Sequence, residues 1–313
     1  MGKNKFYYYF TNYLRLLIPH ICYKGAFERV LNGMSDYDQE AISKRVNYYN
    51  KLLPGSTLDN TASQIDQFKY RSKLKTYFFD LNKYLRYFQG NYRFHYRFGD
   101  VTEVPEVPAF VKSRPIGTNN RNSVLLKLNE VRHFNFVNDN VPFEKKKNIL
   151  FGRAKVFALH KNRESFLKKY HNHPLCDIGK INDDGRNAQW LVPKASIRQH
   201  LNYKYILCLE GNDVATNLKW VMSSNSLAVM PAPRYETWFM EGTLIPDYHY
   251  VSIADDFSDL EEKLTYYTKY PDEALKIIEN AHRHVAQFLD KKQEKLISLL
   301  TIQQYFNRTM QNC

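Results

Sequence analysis

Two stretches early in the chain, residues 38–53 and 63–88, carry apolar side chains at three- and four-residue spacing and are separated by Pro54-Gly55, which predicts two helices with a break between them. Ahead of them Phe6, Phe10, Tyr13, Leu14, Leu17 and Ile18 share one helical face, with Lys3, Lys5 and Arg15 nearby. Such a face fits a helix packed on its own domain, and also an anchor lying at a membrane surface. From Tyr92 the period shortens, and residues 92–98, 110–111 and 123–128 read as brief strands among prolines and polar turns. Beyond the basic run at 144–147, the expected linker, come a strand at 148–151, a Gly152-Arg153 turn, a helix at 162–170 and an irregular loop at 171–190. Apolar runs at 205–209 and 226–230 flank a helix-like segment from Val214, and a third run ends at His249-Tyr250. Amphipathic helices at 259–267 and 271–300 follow. Strands alternating with helices predict an α/β fold with a parallel sheet, divided into domains at 1–145 and 146–290 with a helix at 291–313.

Composition narrows the classes. The 313 residues, 43% of them hydrophobic, suffice for two domains with real cores. The 45 Lys and Arg against 32 Asp and Glu are scattered, which suits nucleic acid, nucleotide sugars, phosphorylated glycolipids or an anionic membrane face. Many of the 24 Tyr and 20 Phe lie beside basic residues, as in Tyr92-Arg93-Phe94-His95-Tyr96-Arg97-Phe98, a texture that stacks bases or sugars as well as filling cores. Cys22, Cys176, Cys208 and Cys313 show no CxxC pairing and fit reduced thiols of a cytoplasmic protein, not a disulfide framework or zinc site. No apolar run approaches the ~20 residues that span a bilayer.

The strand, helix, strand pattern from Tyr205 onward points a loop and a helix start into one crevice, where free N–H groups and the helix dipole favour an anion. Glu210-Gly211-Asn212-Asp213 is neither a Walker loop nor GxGxxG, yet Gly211 permits close backbone approach, Asn212 or Asp213 can cap, and Lys219 follows within two turns. A capped helix with an exposed lysine fits the same residues. Asp36-Tyr37-Asp38 satisfies a DxD pattern but lies in the helical first region, where capping explains it; no metal is expected.

Tyr203-Lys204-Tyr205, Glu210-Gly211-Asn212-Asp213, Asn217-Leu218-Lys219-Trp220, Ser223-Ser224-Asn225-Ser226, Glu236-Thr237-Trp238-Phe239-Met240-Glu241-Gly242 and His249-Tyr250 together resemble the bacterial lipopolysaccharide branch of glycosyltransferase family 90. Phe98-Gly99-Asp100-Val101-Thr102, Lys112-Ser113-Arg114-Pro115-Ile116 and Arg132-His133-Phe134 extend the resemblance upstream. It implies a GT-B architecture of two Rossmann-like domains facing across a cleft, with the acceptor side first and the nucleotide-sugar side second. It also implies inverting transfer of a hexose from UDP-glucose or UDP-galactose to the lipopolysaccharide core at the inner face of the cytoplasmic membrane, with no cofactor besides the donor and no nucleic-acid partner. Asp100 matches the base-bearing segment of the eukaryotic relatives, although Gly99 replaces their Arg; Glu103 and Glu106 are the other carboxylates nearby. On the donor side the resemblance offers Gly152, Arg153 and Arg163, then Glu210, Gly211, Asn212, Asp213, Val214, Ala215, Asn217 and Lys219, with Glu241 accepting sugar hydroxyls. Arg114, Arg132 and His133 are the acceptor candidates. The alternative is a basic protein that binds nucleic acid or anionic membrane without catalysis.

Overall fold

The computed structural model describes residues 4–23, 25–70 and 73–311, so Lys3 and Cys313 lie outside the described residues. Helix α1 (Lys5–Leu16) is capped by Asn4, whose side chain accepts from the Tyr7 amide. After α2 (Ala26–Leu31), α3 (Gln39–Tyr49) starts where Asp38 accepts from the Glu40 and Ala41 amides, so Asp38 of the DxD pattern serves as a helix cap. Then come β1 (Ser63–Gln64), α4 (Lys75–Leu85), β2 (Arg93–Arg97), β3 (Ala109–Val111), β4 (Ser113–Pro115), β5 (Ser123–Leu125) and α5 (Glu130–His133). The helix expected at 63–88 is thus shortened. Ser63 and Gln64 pair antiparallel with Phe94 and Arg93, a single 3-10 turn follows at Ile65–Gln67, and the α-helix begins only after Leu74, which takes a left-handed φ of 55°.

The remaining elements are β6 (Lys147–Ala154), α6 (Lys161–Tyr170), β7 (Cys176–Lys180), α7 (Ile197–His200), β8 (Tyr203–Leu207), α8 (Leu218–Met222), β9 (Leu227–Met230), β10 (Tyr235–Thr237), β11 (Val251–Ser252), α9 (Leu260–Lys269), α10 (Pro271–Ala286) and α11 (Lys291–Arg308). The helix expected at 271–300 is two helices. Asp290 restarts the second by accepting from the Lys292 and Gln293 amides.

These elements form two compact units. One holds the described residues of 133–234 and 241–287, the other those of 3–132, 235–240 and 288–313. The 133–234 unit is built on a five-stranded, wholly parallel sheet in the order β11-β9-β8-β6-β7. Its core joins Leu150, Ile178, Tyr205 and Val229 of the strands to Phe166 and Leu167 of α6, Leu260 and Leu264 of α9, and Ile277 and Ile278 of α10. Helices against an all-parallel sheet bury the strands, which is why β8 and β9 read as continuous apolar runs.

The other unit carries a four-stranded sheet, β1-β2-β3-β5, parallel from β2 onward, and an antiparallel pair, β4-β10. Phe94 and Phe110 are fully buried, and the Phe110 ring centre lies 4.3 Å from that of Tyr305 on α11. Trp238, just past β10, stacks on Tyr49 of α3 at 3.8 Å. The mixed α/β character matches the expectation. Among the described residues no helix is long and apolar enough to cross a membrane.

Candidate functional site

In the five-stranded sheet the chain leaves β6 for β7 on one side and then returns to β8 on the other. Loops after two such strands part in opposite directions at their carboxyl ends and leave a crevice there. The loop after β8 carries Glu210, Gly211, Asn212 and Asp213, and the loop after β6 leads into α6, with Arg163 in its first turn. The two loops are tied together. Arg163 donates to the Leu209 carbonyl at 2.9 Å and to the Lys155 carbonyl at 2.9 Å, and the His160 ring nitrogen lies 3.0 Å from Asn212 Oδ1. Gly211 is packed so closely that a Cβ there would stand 3.0 Å from Arg163 Nη2. Glu210 accepts from the Arg234 amide and Nε at 2.9 and 3.1 Å, and Asn217 donates to the Leu207 carbonyl at 2.9 Å. Asp213, Val214 and Ala215 are buried.

The helix expected from Val214 begins only at Leu218 and has five residues. Lys219 is therefore not an exposed side chain near a long helix's start. It is fully buried and forms a 2.7 Å ion pair with Glu241, itself buried, and its ammonium lies 5.5 Å from the Phe134 ring centre. Gly152 and Arg153 likewise lie within β6 and not in a turn. Gly152 admits the close approach of Leu207, whose Cβ would be 3.1 Å from an added methyl, and Arg153 pairs at 2.6 Å with Asp177 of β7. Ser223 accepts from the Val137 amide, Ser224 donates to the Val221 carbonyl, and Asn225 donates to the Asp139 and Val141 carbonyls, so all three polar residues serve the unit's own frame.

The other unit places Asp100 three residues beyond the end of β2, after Gly99 at φ 107°, a region that favours glycine. Lys112, which follows β3, forms a 2.5 Å ion pair with Asp100; the Lys side chain is 2% exposed and the carboxylate 28%. Ser113 holds the same turn by exchanging hydrogen bonds with the Val101 amide and carbonyl at 3.1 Å. Asp100 is thus a fixed, partly open carboxylate at the carboxyl edge of parallel strands. Of the acceptor candidates, Arg132 is exposed and His133 buried. Arg114 is fully buried, with Glu236 2.7 Å from its Nε and the Tyr48, Tyr49 and Ser123 carbonyls accepting from its other nitrogens. Tyr48 also donates to Glu236.

Three partners escaped the sequence reading: His160, Lys112 and Arg234. His160 and Arg234 are lone residues whose roles arise from contacts made across the fold, and Lys112 lies in a family-like segment that does not mark it as the partner of Asp100. Burial pushes the Cys176 thiol up to about 12 and raises that of Cys208 too, so neither is a thiolate nucleophile at neutral pH. Cys22, Cys176 and Cys208 are free thiols.

Residues 124–309 match the model of glycosyl transferase family 90. The chain is also 48% identical over 267 residues to the O-glucosyltransferase LpsA of Dichelobacter nodosus, an overlap covering 85% of this chain and 83% of that protein.

Proposed function

The chain belongs to glycosyl transferase family 90, and from that premise we propose that it transfers a hexose from a UDP-sugar to the lipopolysaccharide core with inversion, on a GT-B arrangement of its two units. The relative's name, an O-glucosyltransferase, favours UDP-glucose over UDP-galactose as donor. One observation carries the donor side of this reading: the loops after β6 and β8 meet at the sheet's switch point with Arg163, His160, Gly211 and Asn212 bonded or packed together. The start of α6 presents N–H groups, and Arg163 adds a planar cation able to donate two parallel bonds to a diphosphate. Charge growing on the leaving UDP is stabilised there without a metal ion.

Asp100 takes the proton of the attacking acceptor hydroxyl. Inversion needs a single carboxylate opposite the leaving group, and Asp100 is held in place by Lys112 and by the Ser113 clamp on its neighbour. The acceptor carries a lipid, so the enzyme works at the inner face of the cytoplasmic membrane. The test is transfer from UDP-[14C]glucose to a truncated core oligosaccharide. Asp100→Asn is expected to lower kcat by about 10²–10⁴-fold with an unchanged melting temperature. Full activity in that variant, or no transfer by the native protein from either UDP-hexose, refutes the reading.

A further inference from the structure

Helix α1 has two opposed faces. Its inner face is seated on α4: Tyr8 is buried and donates to Asp80 at 2.8 Å, Asn12 is buried, and the Tyr9 and Tyr13 rings meet Phe79 edge-on. At 100° per residue, Phe6, Phe10, Leu14 and Leu17 fall within a sector of about 80°, roughly opposite Tyr8 and Asn12. That sector points outward. Phe6 is 78% exposed, Leu17 77% and Ile21 70%, and eight of the 22 large apolar side chains exposed among the described residues lie between Phe6 and Ile21. Isolated exposed apolar side chains are ordinary, whereas so many on one short segment mark an interaction surface.

Charge chooses the occupant. The first 27 residues of the sequence contain no Asp or Glu but include Lys3, Lys5, Arg15 and Lys24. A second copy of the chain docked face to face would bring like charges together. An anionic bilayer offers both a hydrocarbon edge for the rings and negative headgroups for the cations. Tyr7, 67% exposed, adds an amphipathic ring of the kind that settles at headgroup level. A helix of 12 residues is too short to span, so it lies in the interface plane.

We propose that the outward face of α1, continued by Leu17 and Ile21, is the surface by which this protein docks on anionic phospholipid. The proposed lipid-linked acceptor explains why such docking is useful, and the inference rests on that reading only to this extent. The experiment is flotation of the full chain with vesicles of phosphatidylcholine alone and with vesicles that also contain phosphatidylglycerol. The native protein is expected to float with the second and not the first, and added sodium chloride should release it. Phe6→Ser/Phe10→Ser/Leu17→Ser should partition about tenfold or more weakly while keeping its melting temperature and its transfer to a lipid-free oligosaccharide. Leu17→Ser/Ile21→Ser, outside the helix, gives the same direction should the triple variant misfold.

Native protein that floats with neither vesicle overturns the proposal. So do variants that float as well as native, or sedimentation showing a native dimer that the variants dissolve. Docking without any sugar transfer would leave this surface standing and remove the proposed reaction instead.

Discussion

Replacing Glu241 by Gln removes the charge facing Lys219 and keeps the shape. The two groups are 2.7 Å apart with side-chain exposures of 0% and 1%, and at an effective dielectric near 20 their gross attraction is about 6 kcal/mol. Desolvation offsets most of that in the intact pair, but an ammonium deprived of this carboxylate keeps the desolvation cost and loses the attraction. Breaking such a pair costs about 3–5 kcal/mol. In a unit of this size each kcal/mol moves the melting point by about 2–4 °C, so Glu241→Gln and Lys219→Met should each melt about 6–20 °C below native. The double variant Lys219→Met/Glu241→Leu should recover most of the loss, because two apolar side chains replace a buried pair at little or no cost. Thermal unfolding of the four proteins by circular dichroism closes the cycle and gives the coupling energy. Single variants that melt within about 2 °C of native, yet raise KM for the UDP-sugar, would refute the argument, because Lys219 would then serve the donor and not the frame.

Gly211→Ala should raise KM for UDP-glucose about tenfold with little change in melting temperature, since the new methyl would stand 3.0 Å from Arg163 Nη2 and 3.2 Å from its Cζ and so displace the guanidinium; an unchanged KM would separate Arg163 from the donor. Burial raises the Asp80 carboxyl from 3.8 to about 6, with Lys83 opposing, so its bound proton contributes stability below the unfolded value that is lost as pH rises through about 6, on the order of 3 kcal/mol. The stability difference between native protein and Asp80→Asn should therefore shift in favour of native as pH falls from about 7 to 4 in thermal melts, and a difference flat with pH would contradict this.

The sequence made the buried parallel strands legible and the edge strand illegible. β9 and β8 from Tyr205 onward are apolar on both faces because helices cover the sheet, so their continuous runs stood out. β7, Cys-Asp-Ile-Gly-Lys, is the edge strand, bridged on its outer side only at Lys180 by Leu191, and sits in the stretch expected to be an irregular loop, since an edge strand needs neither unbroken apolarity nor β-branched residues. That missed strand is also what completes the order placing β6 and β8 at the switch point, so the crevice was anticipated from local pattern and its geometric cause was not. Apolar spacing misled in the opposite direction at 63–88 and 271–300. Pairing with β2 took Ser63 and Gln64, and the Asp290 cap divided the second run, because long-range hydrogen bonds and capping override periodicity.

The family motifs named residues but not their partners, and for the proposed chemistry the partners decide. Three cations that looked available to substrate are each matched to a carboxylate of their own unit: Arg153 to Asp177, Lys219 to Glu241 and Arg114 to Glu236. A cation so matched contributes little net potential to a dianionic leaving group a few ångströms away. Arg163 is oriented by two main-chain carbonyls, one from each of the loops it joins. On the proposed reading Arg163, the first-turn amides of α6 and the Gly211 loop face the leaving diphosphate. On the same reading, the excess of Lys and Arg over Asp and Glu in the composition would act through the long-range field.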